Sequence, residues 1–488
     1  MSNDQTNTLD ARLRTAIDKS VSNPVMFFFT TGALWLVVSI LLGVLASLKS
    51  HWPTFFEAFG ELSTGRAYVA HLNVLIYGWC FPAAFGAIIW FMSRLCRKES
   101  KHAGIIVAAG LVWNFGVVIG LLGVMLGKST GVPWMEFPNQ CWVIFLFAYI
   151  LIAIWSFVQF RVREGGHVYI SQWYILAALF LFPWIFCSAH IFTFVFDGHP
   201  VMTAAVASWF KSSIVNLFFI PVAAASVYYI APKVTGRPVH SYSLALLGFW
   251  TLIILGAWGG IQKLTGAPLP AFMPYVSAAA GVLFFIPALT IGYNILMTTK
   301  SHHDLAKKSP SLRFTVASVI ALIGMGVAGV FLNLPSVMRG TQFSLSGYGY
   351  EILALYGVFS MSMFAAIYYI VPRVTKREWL APSFIRTHFN LSAYGVIAVV
   401  MGSILGGYLQ GAAVEAIDQP FSDAKATAYM ISIFNSIAWV IILISNLAFL
   451  FHILLMAVRL GRHSKHATLI EEHHGSSPHG ADGKVNNY

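Results

Sequence analysis

The sequence predicts an all-α fold: a polytopic membrane protein of about twelve transmembrane helices. Three observations lead there. The chain is 488 residues long, 58% hydrophobic and only 10% charged, where a soluble protein carries about 25% charged residues. Its apolar residues gather into runs of about 20, the length that crosses a bilayer as a helix. Its basic residues collect in alternate connections, the positive-inside pattern of inner-membrane proteins.

The runs fall at 26–48, 67–92, 103–126, 141–160, 170–196, 208–231, 243–264, 271–297, 313–333, 347–371, 388–410 and 429–459. The connections are mostly short. The chain therefore reads as a cytoplasmic N-terminal segment (1–25), a twelve-helix membrane domain (26–459) and a cytoplasmic tail (460–488). Residues 1–23 are polar and the first apolar run is long enough to span, so no cleavable signal peptide is expected. The tail carries His473, His474 and His479. Its composition suits a disordered, solvated segment better than a metal site.

The net charge of +12 could suggest nucleic acid, but its placement argues for topology instead. Arg94, Arg97, Lys98 and Lys101 share one connection, and Arg161 and Arg163 the next such one. Lys233 and Arg237, then Lys300, Lys307, Lys308 and Arg313, then Arg373, Lys376, Arg377 and Arg386 follow. Intervening connections are poorer in base, and one carries Glu415, Asp418 and Asp423. An even number of spans with both termini in the cytoplasm satisfies this pattern. The four cysteines form no C-x-x-C pair and no C-x-x-C-H haem attachment. P-loop, dinucleotide-binding and serine-elbow motifs are likewise missing.

Gly65-Arg66-Ala67-Tyr68-Val69-Ala70-His71-Leu72-Asn73 opens the second span. Tyr228-Tyr229-Ile230-Ala231-Pro232-Lys233 closes the sixth, followed by Arg237-Pro238-Val239-His240-Ser241-Tyr242, and Tyr368-Tyr369-Ile370-Val371-Pro372-Arg373 closes the tenth. With Trp258 and the Leu269-Pro270 pair, these segments resemble the catalytic subunit of the cbb-type (C-family) heme–copper cytochrome c oxidases. The likeness covers nearly the whole membrane domain. It implies two histidines on a low-spin b-type haem, one on a high-spin haem and three on a copper beside it, because imidazole suits both metals.

On that resemblance His71 matches the first low-spin ligand. Counting back from Tyr228-Tyr229, the family's tyrosine–glycine–histidine becomes Phe210-Lys211-Ser212. The copper histidine pair of the seventh helix falls on Gln262-Lys263. In the tenth, histidine–valine–histidine falls on Tyr350-Glu351-Ile352. A glutamate of the ninth falls near Asn333. No histidine lies between 200 and 239, 241 and 301, or 304 and 387, so a local shift of register restores no ligand. The degenerate ligand positions are thus Ser212, Gln262, Lys263, Tyr350 and Ile352.

Lys211, Lys263 and Glu351 are ionisable residues in or at the ends of apolar spans, where charge is costly and is usually paired. The expectation is a polar network of Lys211, Lys263, Glu351, Gln262 and Tyr350 filling the vacated site, with Lys263 and Glu351 as the ion pair. Separate snorkelling of each lysine to the interface is the alternative. His190 and His452 are read as structural. The expected function is that of a non-catalytic cbb-type oxidase subunit I homologue, a membrane scaffold in a respiratory electron-transfer complex. It would hold no cofactor. Alternatives are one b-type haem at His71 or a quinone contact, an active oxidase or nitric oxide reductase, and a transporter. The partners expected are membrane lipid and a membrane-anchored c-type cytochrome or other respiratory subunits, with no nucleic acid.

Overall fold

Each predicted apolar run forms a helix. The computed structural model describes residues 3–196, 199–300, 303–416, 418, 420–460 and 462–463. The tail expected to be disordered lies almost wholly outside them. Among the described residues twelve helices are long and apolar enough to span a membrane. They are α1 (Asp10–His51), α2 (Thr64–Cys96), α3 (Ala103–Met125), α4 (Cys141–Arg161), α5 (Ile170–Val195), α6 (Pro200–Thr235), α7 (Tyr242–Leu264), α8 (Phe272–Thr299), α9 (Pro310–Leu332), α10 (Ser346–Thr375), α11 (Pro382–Glu415) and α12 (Phe421–Ala457).

Helix boundaries follow local chemistry. Ser241 and Ser309 cap α7 and α9 by accepting the N–H of Leu244 and Leu312, satisfying donors that a helix start leaves open. Gly236 ends α6 in the left-handed conformation. In α8 the regular turns break at Phe284, three residues before Pro287, whose ring removes a backbone donor. Residues 10–25, expected as a separate segment, continue the same helix as the first span. Ile17, Val21 and Val25 are buried, so this extension is held by packing rather than left in water.

Both described ends of the chain lie at one end of the bundle. Ser22 Oγ, early in α1, donates to the Val374 carbonyl at the end of α10 (3.0 Å). Arg462 and His463 pair antiparallel with Glu378 and Arg377. The connections rich in lysine and arginine fall at this same end, by the alternation of the spans.

The spans form two classes. The most apolar windows of α2, α6 and α10 are 100, 94 and 100% buried, against 39–50% for the other nine. Three helices therefore form an inner group wrapped by nine that offer a face to lipid. The core is aromatic: Trp79, Trp90, Trp113 and Phe81 are fully enclosed. Each inner helix also widens into a π-helical stretch near its middle, at Val74–Cys80, Val215–Phe219 and Leu353–Ser360. Such stretches interrupt the regular helix and mark functional sites more often than chance.

Candidate functional site

The π-helical stretches begin within four residues of the positions singled out in the sequence: His71, Lys211 and Glu351. These lie toward the end of the bundle opposite the termini. A fourth element reaches them through glycine. Gly260 has φ +107° and sits against the Ser208 carbonyl of α6 so closely that a Cβ would collide with it. The turn Ile261–Leu264 is thereby laid on α6 and delivers Gln262 and Lys263 to the inner helices.

Lys211, Lys263 and Glu351 meet. The Lys211 ammonium pairs directly with Glu351 Oε1, and Lys263 Nζ lies 3.7 Å from the same oxygen. Lys211 also sits 5.5 Å above the ring of Trp134, a cation–π contact. The expected ion pair therefore has a different leading partner: Lys211 on α6, not Lys263, makes the close contact with Glu351 on α10. The reason is placement. α6 and α10 are both inner helices, whereas Lys263 reaches in from a turn at the rim and keeps 41% of its side chain exposed.

Two further members of the expected network line the same space without joining the ion pair. Gln262 Oε1 accepts the Gly260 N–H (2.6 Å) and the Ser277 hydroxyl (2.5 Å), and its Nε2 donates to Asn333 Oδ1 (2.7 Å). Asn333 Nδ2 in turn donates to the Gly329 carbonyl (2.7 Å). This amide is satisfied on every side, as a buried polar group must be, and ties the α7 turn to α8 and α9. Tyr350 turns its hydroxyl toward Gly329 and, among the described residues, hydrogen-bonds none of the charged groups. Ser212 Oγ accepts from Asn216 Nδ2 (3.3 Å). Ile352 is completely buried. Together these elements enclose a cavity of about 270 Å³, lined by Lys211, Lys263 and Glu351, by Tyr68, Tyr348 and Tyr350, and by apolar side chains of α7–α9.

His71 lies beside this cavity, fully buried. Its Nδ1 is 2.8 Å from the Ser39 carbonyl, to which it donates in the matching tautomer, and 3.2 Å from the Ser39 hydroxyl. Its Nε2 is 3.4 Å from the Tyr348 hydroxyl. Trp439 packs edge-on against the imidazole, with ring centres 4.9 Å apart. Gly43 closes the remaining side, where a Cβ would stand 2.8 Å from His71 Cε1. Elsewhere, His190 Nδ1 is 2.8 Å from the Phe186 carbonyl. His452 is buried, and among the described residues neither ring nitrogen has a hydrogen-bond partner.

Sequence reasoning missed Tyr348, Trp134 and Glu136. Asn73 Nδ2 donates to Glu136 Oε2 (2.6 Å). Burial pushes the Glu136 carboxyl up to about 7, partly offset by that hydrogen bond and by Lys211. The available signal was a single acidic residue set between Trp134 and Phe137 in the 126–140 connection. Tyr348 offered none, since aromatic residues abound.

Residues 23–444 match the family model of cytochrome c and quinol oxidase polypeptide I. The chain belongs to that family. Among its relatives is a cytochrome c oxidase subunit 1 homolog of Azorhizobium caulinodans, 25% identical over 403 residues, covering 80% of this chain and 72% of the relative. The cbb3-type cytochrome c oxidase subunit CcoN1 of Stutzerimonas stutzeri is 23% identical over 393 residues, covering 79% and 83%. A solved heme-copper terminal oxidase dimer shares the fold with TM-score 0.74 at 14% identity, covering 92% of this chain and 86% of that one.

Oxidase polypeptide I members normally bind haem and copper. The residues of this member do not fit that set. Ser212, Gln262, Lys263, Tyr350 and Ile352 supply no imidazole, and two ammonium groups repel metal cations. Among the described residues no group of three or more histidine, cysteine or acidic side chains could hold a metal ion. At His71 the Tyr348 hydroxyl stands 3.4 Å from Nε2, and Ile352 has no ligating atom.

Proposed function

We propose that this chain is a non-catalytic oxidase polypeptide I homologue that serves as a membrane scaffold subunit in a respiratory electron-transfer complex. One observation carries the reading: a lysine–glutamate–lysine cluster stands where the resemblance sets the oxygen-reducing centre. Lysine, serine and glutamine cannot replace imidazole on haem iron and copper. The Lys211–Glu351 contact closes the gap between α6 and α10 with paired charge, and a low local dielectric strengthens such a pair when its members are satisfied. His71 serves as a packing and hydrogen-bonding residue rather than a haem ligand. The nine outer helices offer apolar faces to lipid and to partners, of which a membrane-anchored c-type cytochrome is the one this family suggests. The basic connections support an orientation with both termini in the cytoplasm of a bacterial inner membrane.

The deciding experiment is a pyridine haemochrome assay with copper analysis on the purified chain. The expected result is neither haem nor copper in stoichiometric amount. One b-type haem per chain, lost in His71→Ala, would overturn the bare-scaffold reading in favour of an electron carrier.

A further inference from the structure

We propose that the cavity between α6, α7 and α10 is a binding site for a small organic carboxylate, whose carboxylate group sits on Lys263 and whose apolar body lies along Leu255, Phe284 and Met325. The inference rests on the reading of this cavity as free of haem and copper.

Charge comes first. The cavity wall holds two ammonium groups and one carboxylate. Both ammonium groups address the same oxygen, Oε1 of Glu351, and Lys211 holds the close position. Lys263 is left at 3.7 Å with 41% of its side chain exposed. Lys263 thus shares its one carboxylate with Lys211, and the ammonium groups of the cavity wall outnumber its carboxylate by one, in a membrane domain where charge is costly. Glu136 does not line the cavity; it accepts from Asn73 and feels the charge of Lys211, not that of Lys263. An anion entering the cavity would complete the pairing.

Shape and chemistry come next. The volume of about 270 Å³ exceeds what a lone halide needs. Much of the wall is apolar, with Leu255, Phe284, Met325, Leu332 and Met338 facing the space. The Tyr350 hydroxyl lines the cavity without a hydrogen bond among the described residues and can donate to a second anion oxygen. By contrast Gln262 and Asn333 are already satisfied by each other and their neighbours. A bound carboxylate would thus find a cation, a phenol and an oily wall, the mixture of few polar groups and apolar surface that marks small-molecule sites.

The test is calorimetric titration of benzoate into the full-length chain in detergent, with sodium chloride and palmitate as separate arms. Benzoate should bind, and Lys263→Gln should weaken it at least tenfold while Lys263→Arg retains it. Leu255→Trp, which fills the cavity and leaves every charge in place, should abolish it. Binding of palmitate with the same dependence on Lys263 would place the carboxylate's source in the membrane; binding of benzoate alone would place it in water. Chloride binding as tightly as benzoate, or benzoate binding that ignores both Lys263→Gln and Leu255→Trp, would overturn the proposal. Metal analysis of the same preparation keeps the two readings apart. Haem or copper there would end the scaffold reading, whereas a metal-free chain that takes up neither carboxylate would end this inference alone.

Discussion

Two neighbouring regions of the inner-helix group accommodate their buried polar side chains in opposite ways. Around His71 the space is closed: Gly43, Trp439 and Tyr348 press on the imidazole, and both ring nitrogens have oxygen partners. Around Glu351 the space stays open as a polar cavity held by charge. The difference follows from the side chains available. A histidine can be satisfied by one carbonyl and one hydroxyl, and aromatic rings then pack to it. Two lysines and a glutamate cannot be packed tight without stranding a charge, so that region keeps room around them.

The largest expected effect sharpens this contrast at its charged pole. Glu351→Leu removes the carboxylate and leaves two ammonium groups facing each other, so thermal unfolding in detergent should report a loss of about 3–5 kcal/mol. Lys211→Met should cost less, because Lys263 stands 3.7 Å from the same oxygen and can take over. A larger loss from Lys211→Met than from Glu351→Leu would break the picture of a shared carboxylate.

Glu136 links the two regions, bonding Asn73 on the helix of His71 two residues from Trp134, which underlies Lys211. Its carboxyl titrates near 4.5 when unfolded and about 7 when folded. A raised acid favours the folded state while it is protonated. Stability is therefore full below about pH 4.5 and is lost as the pH rises through 7, by up to about 3 kcal/mol. Unfolding measured across pH 4–8 should show this slope, and Glu136→Gln should flatten it. An unchanged slope in the variant would assign it elsewhere.

The packed pole should respond to volume rather than charge. Gly43→Ala places a methyl 2.8 Å from His71 Cε1 and should cost about 1–3 kcal/mol by overpacking. If the methyl is accommodated freely, the His71 region is looser than described. The smallest effect belongs to Lys263→Met, at most about 1 kcal/mol, because its side chain is 41% exposed and exposed pairs contribute little.

The twelve spans were legible because a bilayer demands long apolar runs whatever lies inside. Which spans form the inner group was not legible, since α2, α6 and α10 are no more apolar than the helices around them; their burial comes from tertiary packing. The charged residues announced themselves by being rare, and Lys211, Lys263 and Glu351 were picked out together. Their pairing order was not readable, because it depends on how far the Gly260 turn carries Lys263 inward. Gln262 looked like a partner for the charges and instead ties the α7 turn to Asn333, a contact set by the approach of α7 to α9. Tyr348 escaped because nothing distinguishes one tyrosine among 19, and Glu136 because its one signal, an acidic residue between Trp134 and Phe137, does not tell that the connection is folded inward.

The three π-helical stretches of the inner helices carry one more consequence. Each adds an extra residue to a turn and so sets the rotation of everything beyond it, which makes it a property of backbone hydrogen bonding and not of any one side chain. Losing a ligand takes a single codon; losing such a turn requires a deletion or the repacking of a whole buried helix. The backbone geometry of these helices is accordingly less sensitive to a single substitution than the side-chain chemistry it carries. A designer placing imidazoles at positions 212, 262, 263, 350 and 352 would keep the rotation these turns set and would rebuild only the side-chain shell, beginning with the removal of the charges that now hold it.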